Sequence, residues 1–338
     1  MGILRAFVAG FEAVAAKPAF ILPPIIVDLL LWLGPRIGIP EVIRGISDRI
    51  TDIGALDPQL VVDLQEAFDT LAHNFNLLAG TSAFPIGSPS LFRAIPGGLP
   101  SLIAGRLPSA SPLGQPWTFA ISDTAVIMGS LLLSLVVWQA AGVLYHRWLA
   151  RDVIGIEGLA SFAKSGPSMI ALSLGLYLAG LVGAMVVLTL ASIVWYMIPL
   201  LGLSIGFLGF SLAFWGLVYS IYAPYLIVRD GINPIQAIVR SIRLVRWNFM
   251  GTVGFFILMY GANWGLHKIW VLPADESWLT ALAIAGHALT TAILLMSSYQ
   301  FFQNRWLVTE QAIQRWTKLA ASENERFDGE AYLSEGEE

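Results

Sequence analysis

The chain contains no cysteine. That excludes disulfides, thiolate metal ligands and a cysteine nucleophile, and it leaves the compartment undecided. Charge is also scarce. Asp, Glu, Lys and Arg make up 12% of the residues, against about a quarter in a soluble globular domain. Between Lys164 and Arg229 there is none at all. One membrane crossing needs about 20 apolar residues, so this stretch alone holds more than one membrane helix. The ten-residue alternation of a transmembrane β-barrel is missing. So are HExxH, GxSxG and the phosphate-binding GxxxxGK, and no His or carboxylate cluster has metal-ligand spacing. No cofactor is implied and nothing points to nucleic acid. The twelve tryptophans suit membrane interfaces, although a pigment or quinone site stays open.

What is present is long apolar runs joined by short polar turns. The pattern predicts an all-α, polytopic membrane helical bundle of about six transmembrane helices, with a surface amphipathic helix and a helical external loop. Residues 1–17 place Leu4, Phe7, Val8, Phe11, Val14 and Ala15 at helical spacing, as in an amphipathic helix lying on the membrane surface. The first transmembrane segment follows within residues 18–37. A signal peptide is the rival reading of this start. Pro23-Pro24, the internal Asp28 and the missing small-residue cleavage site argue against it.

Residues 38–117 are an external loop of a different character. Val42, Ile43, Ile46, Ile50 and Ile53 mark one amphipathic helix. Asp57-Pro58 opens a second as an N-cap with proline at the first helical position. That helix carries Leu60, Leu64, Phe68, Leu71, Phe75 and Leu78 opposite Asp63, Glu66 and Asp69. From residue 84 the loop is rich in proline and glycine yet apolar. Such backbone enters lipid only where protein covers it, so an ordered cap over the bundle is expected. Residues 118–304 then hold five further spans, near 119–145, 167–191, 202–228, 250–271 and 278–302. Residues 305–338 form an acidic tail. Its composition is that of a solvated, disordered end.

Arginine and lysine set the orientation. Arg147, Arg151, Lys164, Arg229, Arg240, Arg243 and Arg246 occupy two inter-span stretches, and Arg5, Lys17, Arg305, Arg315 and Lys318 flank the ends. The positive-inside rule makes both stretches and both termini cytoplasmic, in a multi-pass protein of the cytoplasmic (inner) membrane.

Between two apolar runs lies YLIVRDGINPIQAIVRSIRLVRWNF, residues 225–249. Asn233 is a helix cap with Pro234 first inside, predicting an elbow helix over 233–248. Arg240, Arg243 and Gln236 fall on one arc, Ile238, Ile242, Val245 and Phe249 on the other, and Arg246 at the boundary. Three readings stand: an interfacial anchor held by anionic lipid at about 1 kcal/mol per basic side chain, a docking helix for a membrane-protein partner, and a catalytic loop. A proline-ended span, then RDG, then P.QA...S..L.R.NF leading into a new span, resembles uncharacterised bacterial membrane proteins. These are related to the membrane domain found with glycerophosphodiester phosphodiesterases. The opening FEAVAAKPAFILPPIIVDLLL resembles that group too. The resemblance covers about half the chain and implies a fold rather than an activity. No phosphodiesterase domain accompanies it, and the loop at 38–117 departs from the group's compact form.

Ionisable groups inside a membrane cost ~3 kcal/mol each and are functional candidates for that reason. Asp28, Gln139 and His287 are the candidate intramembrane polar site. A proton or ion relay between Asp28 and His287 competes with one interhelical hydrogen bond apiece. Arg240, Arg243 and Arg246 are the candidate lipid or partner docking residues. Taken together, the sequence points to a membrane protein without catalysis of its own, an accessory or scaffold subunit whose surroundings are the lipid bilayer. A transporter or lipid-handling protein and an intramembrane enzyme are the alternatives.

Overall fold

The computed structural model describes residues 2–51, 57–79, 101–104, 106, 108, 110–155 and 157–334, without the side chains of 135 and of 316 onward. The elements are α1 (Ile3–Ala16), a 3-10 turn (Pro18–Ile21), α2 (Leu22–Leu33), β1 (Arg36–Gly38), α3 (Pro40–Thr51), α4 (Pro58–Asn74) and β2 (Thr118–Ala120). There follow α5 (Thr124–Ile154), α6 (Phe162–Met197), α7 (Pro199–Ser220), α8 (Ala223–Asp230), α9 (Pro234–Trp247), α10 (Phe249–Trp270) and α11 (Leu279–Ser334).

Apolar helices dominate because a chain in lipid must satisfy its backbone hydrogen bonds within each segment. Five stretches are long and apolar enough to cross a membrane: α5, α6, α7 with α8, α10, and α11 as far as Arg315. Ile3–Ala16 and Pro18–Leu33, bent by 98° relative to each other, form a sixth candidate if the pair is one span. The protein is therefore an all-α multi-pass bundle, as the uncharged runs predict.

Two ends of the bundle are defined by contacts. At the basic end Lys17 pairs with Asp152, and Arg147 donates to the Ala160 carbonyl and to Ser165 Oγ. Ala160 N–H donates in turn to the Arg229 carbonyl at 2.8 Å. Arg229 lies over the Trp306 ring, 4.3 Å from its centroid. The start of α2, the α5–α6 and α8–α9 connections and the middle of α11 thus share one end. At the opposite end Trp32 Nε1 donates to the Asp275 carbonyl at 2.9 Å, and Arg106 reaches Asp275 at 2.7 Å.

The core follows that division. Near the basic end Tyr222, Tyr225, Tyr299, Phe255, Phe301 and Phe302 are all essentially sealed from solvent. Near the other end Leu31 and Trp32 of α2 pack with Leu102 and Ile103 of the loop and Ala283 and Ile284 of α11. By contrast, the most apolar 18-residue window of α6 has no residue buried inside the protein. Its outer part packs mainly on α7, and the hairpin presents Leu188, Phe207 and Leu212 outward.

Four features go beyond what the sequence indicated. In helix α1, Leu4, Val8 and Phe11 of the apolar stripe are exposed, while Val14 of the same stripe is buried together with Ala6 and Gly10. The small residues turn inward because backbones must approach. A Cβ on Gly10 would sit 2.6 Å from Ser297 N and 2.8 Å from the Ile293 carbonyl oxygen. In lipid the bulky apolar face has no reason to seek protein, so close packing decides. Second, two short strands appear, β1 parallel to β2 with Arg36 opposite Thr118. They tie the exit of α2 to the approach of α5. Third, the loop helices meet through Ile43, Ser47 and Ala72, with Leu60 and Leu71 of the expected face turned outward. Ile53 and residues 84–100 of the expected cap lie outside the described residues. Fourth, the backbone of the acidic tail is helical through Ser334. α11 enters it without a break, and alanine, glutamate and arginine favour continuation.

Candidate functional site

Asp28 sits on α2 among apolar residues and is fully buried. Its carboxylate accepts from Ser101 Oγ at 2.5 Å, Leu102 N–H at 3.0 Å and Ile103 N–H at 3.1 Å. Ser101 Oγ also accepts from Ala104 N–H at 2.9 Å. This is helix-cap chemistry carried out from a distance. A carboxylate on one segment satisfies the orphan amides of a turn 73 residues away. The turn is apolar, so burying Leu102 and Ile103 beside Trp32 requires those amides to be paired. Asp28 thereby holds the far end of the long loop against the bundle.

A second bond set secures the same corner. Arg106 Nη2 donates to the Pro273 carbonyl at 2.6 Å as well as meeting Asp275. Arg36 is buried beside Asp275; burial lowers its pKa and the carboxylate opposes that shift. The α10–α11 turn, the loop and the exit of α2 are locked together. Asn76, also buried, accepts from Ile37 N–H at 3.3 Å and Leu78 N–H at 3.2 Å.

Of the other sequence candidates, Gln139 and His287 are likewise buried. The His287 ring lies edge-on to His267, with centroids 5.9 Å apart. Val27, Trp138 and Ile284, close in sequence to Asp28, Gln139 and His287, belong to one apolar cluster. The fold thus gathers the three stretches, and the hydrogen-bond geometry assigns Asp28 to the loop.

Sequence reading missed a polar network at the basic end. His146 is fully buried on α5, and its Nδ1 lies 2.7 Å from Tyr299 Oη on α11. Tyr225 Oη donates to Ser298 Oγ at 2.9 Å, and Tyr225 packs edge-on to Tyr299 at 4.8 Å. Tyr222 Oη lies 2.9 Å from Thr252 Oγ1. A signal existed in the polar-aromatic stretches IYAPY and SSYQFF at span ends, but span ends are also where interfacial tyrosine belongs.

The elbow α9 is built as its sequence indicates. Asn233 Oδ1 accepts from Gln236 N–H at 2.9 Å. Gly231 precedes it with φ of 64° and a Cβ position only 2.8 Å from the Ala160 Cβ. Both facts demand glycine in the RDG turn. Ala237, Ser241, Leu244 and Val245 face the bundle. Ser241 Oγ donates to the Tyr219 carbonyl at 2.7 Å and accepts from Tyr222 N–H at 3.0 Å. The buried arc is therefore one step from the predicted one, because a small serine is what permits close docking to the break between α7 and α8. Outward point Ile235, Val239, Trp247 and the arginines. Arg240 pairs with Asp230 at 3.1 Å. Arg243 and Arg246 make no ion pair among the described residues.

Compared with family models, with curated proteins and with solved structures, the chain matches none.

Proposed function

We propose that this multi-pass membrane protein is a non-catalytic accessory or scaffold subunit of the cytoplasmic membrane. It would engage its partner through the elbow, with the basic end and both termini cytoplasmic. The observation that carries the reading is the elbow itself. One face is fixed to the bundle through Ser241, Leu244 and Val245. The other offers Arg243, Arg246 and Trp247 in a rigid array. Arginine and tryptophan are the residue types that dominate interface energetics. The clustering of arginines at one end supports the orientation. The engagement of Asp28 with the loop amides favours a structural role for the residue that a relay would need.

The test is gentle extraction from the native membrane followed by quantitative mass spectrometry of everything retained. A partner at fixed stoichiometry, lost from an Arg243→Glu, Arg246→Glu variant that remains folded, is the expected result. A solitary protein carrying a specific small molecule would overturn the reading in favour of transport or lipid handling.

A further inference from the structure

Between the elbow α9 and the Trp306–Gln314 stretch of α11 runs a groove of about 360 Å³, within the range of small-molecule sites, ~300–1,000 Å³. Its polar walls are Arg240 and Arg243 on one side and Glu310 on the other, over an apolar floor that includes Leu244 and Trp306. The charges are arranged unusually. Arg240 is already partnered by Asp230. Arg243 and Glu310 face the same space and pair neither with each other nor with any other described residue. Arg229, on which the Glu310 charge acts, is held by Asp230 at 3.6 Å and by the Trp306 ring. Two opposite charges left apart across a solvent-open groove suit a ligand carrying both signs.

Depth narrows the chemistry. Trp306, Arg229, Arg240 and Arg243 gather around the groove, and tryptophan and arginine are the residue types that collect at the membrane–water interface, the level of lipid headgroups. We propose that this groove binds the phosphoethanolamine headgroup of a membrane phospholipid. The phosphate lies against Arg243, aided by Arg240, and the primary ammonium donates to the Glu310 carboxylate. A trimethylammonium group has no N–H to donate and loses that bond. An acidic headgroup without an amine meets Glu310 as a like charge. The site shares Arg243 with the partner surface proposed above, but it requires no protein partner, and its test with the isolated chain and lipids can fail or succeed independently of that reading.

The experiment is native mass spectrometry of the delipidated full chain titrated with phospholipids of identical acyl chains: ethanolamine, choline and glycerol headgroups, with free phosphoethanolamine as a fourth ligand. Expected is tighter retention of the ethanolamine lipid than of the choline lipid by about tenfold or more, the loss of one charge-assisted hydrogen bond. Glu310→Gln should remove that preference while choline-lipid binding persists. Arg243→Gln should weaken all three lipids, and Arg243→Lys should restore most of the loss. Equal binding of ethanolamine and choline lipids to the native chain would overturn the proposal. So would a glycerol-lipid preference that persists in Glu310→Gln. Free phosphoethanolamine competing at equal affinity would overturn the lipid as its source.

Discussion

Replacing Asp28 by asparagine keeps the side chain's size and removes one of its two acceptor oxygens. The remaining amide oxygen fits best at Oδ1, where Ser101 Oγ and Ile103 N–H both converge. The amide nitrogen then faces Leu102 N–H, donor against donor, at the 3.0 Å position. A buried backbone amide left without an acceptor costs about 1–3 kcal/mol, and the two surviving bonds fall from charge-assisted to neutral at ~1 kcal/mol each. The sum is at least about 3 kcal/mol of local destabilisation, which corresponds to roughly 100-fold or more in the opening equilibrium. Hydrogen exchange read at Leu102 and Ile103 measures that equilibrium directly. Protection at these amides should fall by about two orders of magnitude, while amides of the transmembrane core stay protected. Protection unchanged within about threefold would refute the clamp. An Asp28→Asn variant that kept the loop protected yet lost a biological activity would instead favour the relay.

Gly10→Ala places a methyl group 2.6 Å from Ser297 N on α11; overpacking of this kind costs about 1–3 kcal/mol, so the thermal midpoint in detergent should drop, and an unchanged midpoint would contradict the contact. Ser241→Ala leaves the Tyr222 amide and the Tyr219 carbonyl without their partner, at about 1–3 kcal/mol each. Exchange of α9 amides should accelerate at least tenfold, with no such change in Arg243→Gln. Tyr299→Phe removes the hydroxyl that meets His146 and should lower stability by about 1 kcal/mol, measurable as a downward shift in the same thermal midpoint.

The elements that sequence revealed are those with one physical cause. An uncharged run as long as that between Lys164 and Arg229 reads as membrane helix, and the Asn233-Pro234 pair opens the elbow helix α9 as a cap followed by proline at the first helical position. The site was less legible. Asp28 announces itself as an expensive group in an apolar span, but its partners lie 73 to 75 residues away in a stretch without periodicity. The packing side of α1 was hidden for a related reason. Apolarity separates protein from water and says nothing of protein against lipid, so the stripe of Leu4, Val8, Phe11 and Val14 did not show that only Val14 would pack inward, beside Ala6 and Gly10. Three-residue strands are too short for period-two alternation to register. The buried tyrosines were hidden by a competing explanation, since aromatics near span ends are expected at interfaces whether or not they form a network.

The most direct test of the scaffold reading is site-specific photo-cross-linking in the native membrane. A photoreactive residue replaces Trp247, which is 56% exposed on the elbow, or Met185, which is 62% exposed on the hairpin helix α6. A discrete protein adduct from position 247, identifiable by mass spectrometry and absent at 185, is the result predicted for a partner docked on the basic elbow. Lipid adducts alone at both positions would contradict it.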